Sequence, residues 1–167
     1  MSEELATIGY ITDQELQGQP GLPSAQRRAK GPVAVIECIQ PIPCNPCETS
    51  CKAEAISVGE DITTLPHLDE EKCIGCYTCI AICPGQAIFV VDESLEGDDA
   101  TVAMPYEFLP LPEKGQKVTA LDRSGAELGE AEVVRVKTGK RMDQTAMVVI
   151  KVPKKWTMKA RAFRLNG

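Results

Sequence analysis

Two stretches of this sequence superimpose on one another. Cys44, Cys47 and Cys51, followed by Ala55, Ile56 and Val58, recur 32 positions on as Cys76, Cys79 and Cys83, followed by Ala87, Ile88 and Val90. An internal repeat of this kind predicts a pseudo-symmetric unit in which each half supplies a strand, a cysteine loop, a short helix and a returning strand. The first loop, "CIQPIPCNPCETSC" over residues 38–51, holds four cysteines and three prolines, a composition that leaves little room for regular secondary structure. The β-rich run "VAVIE" precedes it at 33–37, and "QAIFVV" follows the second loop.

Eight cysteines need an account. The chain opens Met-Ser-Glu-Glu without an apolar leader, and its longest apolar runs, 87–91 and 146–150, fall far short of the roughly 20 residues that span a bilayer. The expected location is the cytoplasm, with no membrane segment. In that reducing compartment disulfides rarely persist, and clustered thiols bind metal. The spacing C-x2-C-x2-C-x3-C-P at Cys73, Cys76, Cys79, Cys83 and Pro84 is that of a bacterial iron–sulfur run. A cubane takes three thiolates converging from one tight loop and a fourth from another direction. Two C-x2-C pairs also suit a four-thiolate zinc site, but eight interleaved cysteines exceed what zinc needs, and zinc pairs have longer spacers between them.

On these residues the segment 33–92 resembles the bacterial-type ferredoxins with two [4Fe-4S] clusters. The resemblance implies crossed ligation, with one cluster on Cys73, Cys76, Cys79 and Cys51 and the other on Cys44, Cys47, Cys83 and Cys38. The first loop departs from that pattern at two points. The repeat offset puts Pro41, not Cys38, at the position of the leading cysteine, and Lys52 stands where proline follows the fourth. Cys38 reaches its cluster if the insert "IQPIP" folds as a small lobe; otherwise that site holds a [3Fe-4S] cluster or takes another ligand. The loops differ in polarity, which implies unequal cluster potentials, and Gly75 and Gly85 provide either close backbone approach to sulfur or turn geometry.

Outside the repeat the texture changes. Residues 1–32 read as an extended, poorly ordered arm, either a free terminus or a segment that wraps a partner. Residues 93–115 read as a linker. Residues 116–167 carry short β-branched runs separated by turn chemistry and predict a small antiparallel β-barrel. The expected fold is therefore α+β, a ferredoxin-like two-cluster domain followed by a small barrel domain. Charge divides along similar lines: 13 Lys and Arg face 7 Asp and Glu from Pro105 onward, against 5 and 17 before it.

His67, the single histidine, reads as a surface residue and not a ligand, and no catalytic triad, phosphate loop or acid/base pair is present. Trp156 and the cations Lys151, Lys154, Lys155, Lys159, Arg161 and Arg164 suggest a nucleic-acid face, but with only Phe163 as a second stacking ring a solvated or protein-docking face is the stronger reading. The arm, the lengthened first loop and the appended barrel together resemble the small iron–sulfur subunits that accompany flavin-dependent amine or imino-acid dehydrogenases. That resemblance implies a non-catalytic subunit passing electrons from a flavoprotein partner to an external acceptor. The alternatives are a free ferredoxin or cluster-bearing sensor whose basic barrel binds nucleic acid, and a zinc-stabilised interaction module.

Overall fold

The computed structural model describes residues 3–142 and 145–166. Three short helices open the chain, α1 (Glu3–Ile8), α2 (Asp13–Leu16) and α3 (Ala25–Arg28). Thr12 and Glu15 cap α2 reciprocally, each side chain accepting from the other's backbone N–H. The repeat then unfolds as two matching halves. The first comprises β1 (Val33–Ile36), α4 (Pro46–Thr49) and β2 (Ile56–Ser57); the second comprises β3 (His67–Leu68), α5 (Thr78–Ile82) and β4 (Ile88–Asp92). β1 pairs antiparallel with β4, and β2 with β3, so the halves clasp one another. The 32-residue offset survives in fine detail. Glu54 and Gln86 both adopt positive φ, 51° and 52°, just after the fourth cysteine of each loop. The next amides, of Ala55 and Ala87, donate to the sulfurs of Cys51 and Cys83.

Beyond the repeat come β5 (Asp99–Tyr106), β6 (Lys117–Leu121), β7 (Glu127–Lys137), β8 (Ala146–Pro153) and β9 (Ala162–Leu165). Among the described residues the main sheet has the order β1-β4-β5-β8-β7-β6-β9. It begins in the repeat and runs without interruption into the C-terminal half. The sheet stays open, with β1 and β9 at its edges, where the sequence predicts a closed barrel. A barrel needs its edge strands to meet, and here the strand that lies next to β8 is β5, which leads back to β4 and β1. The stretch expected as a linker, 93–115, thus contains an eight-residue interior strand. Side chains from β1, β4, β5 and β8, including Val33, Val91, Val102 and Ile150, share one core with Ile80 of α5.

The N-terminal arm also differs from its expectation, because from Leu16 to Pro32 it packs on the repeat. An edge strand leaves half its N–H groups unpaired. On β1 those of Ala34 and Ile36 find partners outside the sheet: Ile36 donates to Gly21 of the arm at 2.9 Å, and Ala34 to the sulfur of Cys73 at 3.4 Å. Gly21 has to be glycine for this approach, since a Cβ there would lie 2.6 Å from the Ile36 carbonyl oxygen. Leu68 and Glu93 donate to carbonyls of Pro20 and Arg28, which ties the arm to both halves. No helix among the described residues is long and apolar enough to cross a membrane.

Candidate metal centre

The loops bring the eight thiols into two groups of four. Cys51, from the first loop, lines one small void together with Cys73, Cys76 and Cys79 of the second. The remaining wall of that void is made of small or apolar side chains, among them Ala34, Ala53, Ala55 and Val90. Gly75 shapes this loop from behind. Its φ is +61°, and a Cβ there would meet Pro32 at 2.6 Å, so a larger residue is excluded both by conformation and by space. Gly85 has no such neighbour and serves as a turn residue only. Tyr77, in the left-handed region at φ 70°, starts α5 and lets Cys79 follow Cys76 around the void.

The second group forms across the clasp. Cys83 leaves the end of α5 and lies close enough to Cys38, Cys44 and Cys47 that each thiolate repels its neighbours. Burial, reinforced by Cys83, Cys44 and Cys38, pushes the Cys47 thiol up to about 11. Cys38 is shifted upward by burial first and by Cys83 next. In the other group burial raises Cys79 strongly, with Cys73, Cys76 and Cys51 adding to the shift. Four such groups ionise together only when a cation of high charge sits among them. All eight cysteines are free of disulfides.

This donor chemistry distinguishes among possible occupants. Tetrahedral zinc, with bonds of about 2.3 Å, draws its four sulfurs to within about 4 Å of one another. No set of three or more Cys, His, Asp or Glu side chains among the described residues is spaced to hold a single ion. An all-thiolate donor set around a wider void, lined by small side chains, fits an iron–sulfur cubane. Residues 66–89 match the family described as 4Fe-4S binding domain. The second cysteine loop is therefore an iron–sulfur binding segment.

Curated relatives align over the repeat and little else. The chain is 49% identical over 47 residues to a subunit of the ion-translocating oxidoreductase complex of Methanosarcina acetivorans, a stretch covering 28% of this chain and 17% of that protein. It is 40% identical over 50 residues to a subunit of the Na(+)-translocating ferredoxin:NAD(+) oxidoreductase complex of Acetobacterium woodii, covering 30% and 14%. It is 36% identical over 50 residues to the ketoisovalerate oxidoreductase subunit VorD of Pyrococcus abyssi, covering 30% and 42%. The chain thus spans less than half the length of these relatives. No solved structure matches it significantly.

Other residues singled out from sequence take structural roles. His67 is exposed and pairs across from Ser57 in the two-stranded sheet. The Trp156 ring lies against Gly129, and Phe163 stacks on Tyr106 at 4.9 Å, so both aromatic faces are engaged within the fold. Four of the six C-terminal cations are similarly taken up: Lys151 pairs with Asp99, Arg164 with Glu127, Lys154 donates to two carbonyls, and Arg161 is buried.

Two features near the cysteines carry no sequence signature. Arg27, buried in the arm, donates to the carbonyl of Cys73 at 2.6 Å and to those of Glu70, Gly31 and Pro32. Glu37, next to Cys38, is buried between Arg123 and Arg161. Burial alone would push the Glu37 carboxyl up, but the two guanidinium groups outweigh it and hold the group below its usual range. Arg161 also stacks over Phe89 at 4.7 Å. These three charged residues form the floor of a groove of about 410 Å³ that opens beside Cys38, with Ile39 and Ile42 of the insert on its rim.

Proposed function

We propose that this protein carries two [4Fe-4S] clusters, one on Cys51, Cys73, Cys76 and Cys79 and one on Cys38, Cys44, Cys47 and Cys83, and relays electrons as a small subunit of an oxidoreductase. The observation that carries the reading is the exchange between the loops: Cys51 faces the void of the second loop while Cys83 faces the thiols of the first. When bound, the clusters supply one-electron chemistry. The chain's residues supply positions and surroundings, holding the two sites close through ligands that cross between them. The groove beside Cys38 gives one site an approach, and exposed Cys76 with its neighbour Ile74, 67% exposed, gives the other. Entry and exit thus lie at different points on the surface.

The partner in this reading is a larger flavoprotein dehydrogenase subunit of the amine or imino-acid type, with an external acceptor beyond. Each relative quoted above is by name an oxidoreductase subunit, which supports a partnered role. Phe108 and Leu109, 73% and 86% exposed on the loop after β5, form the sort of apolar surface that a subunit contact covers. The test is anaerobic affinity purification of the full chain from its native cells. A flavin-containing dehydrogenase is expected to accompany it, and that enzyme's substrate is expected to bleach the iron–sulfur absorbance. A chain that purifies alone, and that instead binds RNA or DNA in a salt-dependent way, would move the assignment to the sensor class.

A further inference from the structure

Resting on the two-cluster reading, we infer that Arg27 of the N-terminal arm holds the Cys51/Cys73/Cys76/Cys79 site at a higher reduction potential than the Cys38/Cys44/Cys47/Cys83 site. Reduction adds one electron, and hence one negative charge, to a site without making or breaking a bond. The site with more uncompensated positive charge beside it accepts that electron more readily.

Arg27 is 9% exposed, and each of its four hydrogen bonds ends on a neutral carbonyl. The shortest of them, 2.6 Å, ends on Cys73 itself, so the cation sits on the peptide of a proposed ligand. Among the described residues no carboxylate forms an ion pair with it. The neighbouring Glu70 carboxylate turns to the backbone and hydroxyl of Ser24 instead. The cations near the other site are matched one for one, since Glu37 lies between Arg123 and Arg161, and Asp13 also binds Arg123 at 2.9 Å.

The other influences on potential either balance or act in the same direction. Backbone amides reach sulfur in both groups, from Ala34 and Ala55 in one and from Ala87, Gln40 and Glu48 in the other. Solvent favours the more highly charged reduced form, and Cys76 is the one exposed cysteine of the eight. The arm that delivers Arg27 is fixed by Ser24, which caps α3, and by its contacts to β1 and Leu68. Arg27 is thus a positioning residue acting through charge on a site it does not ligate.

The experiment is a redox titration of the full chain, reconstituted with iron and sulfide, followed by electron paramagnetic resonance in wild type, Arg27→Gln and Arg27→Lys. The wild type is expected to titrate in two waves. In Arg27→Gln the higher wave falls by at least tenfold in its equilibrium constant, about 59 mV for one electron, while the lower wave stays in place and Arg27→Lys remains close to wild type. A shift of the lower wave, or no shift in either with iron content unchanged, overturns the inference. Should Arg27→Gln lose one cluster, the surviving wave has to be the lower one; survival of the higher wave is equally contrary. A wild-type chain that takes up no iron fails the two-cluster reading itself, which separates that failure from one confined to Arg27.

Discussion

At the scale of single residues, crossed ligation makes a sharp demand on the cysteines. Cys51 lies in the first loop but lines the void of the second, so Cys51→Ser and Cys73→Ser are expected to abolish the same redox wave. Cys83→Ser and Cys47→Ser are expected to abolish the other. Titration of the four variants checks this; if Cys51→Ser instead matched Cys47→Ser, each loop would be holding its own cluster. The repeat made this geometry readable from sequence, because a 32-residue offset in residue type became an offset in backbone conformation at Glu54 and Gln86 and in amide donation at Ala55 and Ala87. Arg27 and Glu37 were not readable in that way. Their roles depend on carbonyls and charges far away along the chain, as from Arg27 to Cys73 and from Glu37 to Arg161, and no local spacing encodes such contacts.

At the scale of elements, β5 shows why a linker reading fails. Pro105 within "DATVAMPY" argues against an interior strand, because proline removes a ladder donor. β4 pairs with β5 only as far as Ala103, so Pro105 lies in a stretch bonded to β8 alone, and its missing donor costs no pairing on the other side. The arm departs from expectation for a related reason: glycine and proline suggest disorder in isolation, but Gly21 permits an approach to β1 that a side chain would block.

Glu37 binds these elements together, joining the end of β1 to Arg123 in the β6–β7 turn and to Arg161 just before β9. Removing one partner of a buried pair leaves uncompensated charge, so Glu37→Gln is expected to cost about 3–5 kcal/mol in chemical denaturation at neutral pH. The two guanidinium groups hold the folded-state carboxyl below its ordinary value of 4.5. Its contribution is therefore fully present above that value and is lost as pH falls through the lower folded-state value. The wild type should lose stability on acidification through this range by more than Glu37→Gln does. Equal acid sensitivity in the two proteins would remove Glu37 from the account.

At the scale of the molecule, the continuous sheet joins an acidic cysteine-bearing half to a basic half that carries no cysteine, although the charge change suggests two separate modules. That basic character does not amount to a patch, because most of the C-terminal cations are used in internal pairs and carbonyl contacts. The thiols are the part that demands a cofactor: buried, mutually repelling groups are stable as ligands only around a highly charged centre. Iron, acid-labile sulfide and zinc per chain, measured on protein purified without oxygen, test this most directly. About eight iron and eight sulfide, with negligible zinc, are expected for two cubanes. About seven iron would mean that Cys38 leaves its site a three-iron cluster, and zinc with little iron would contradict the electron-relay account altogether.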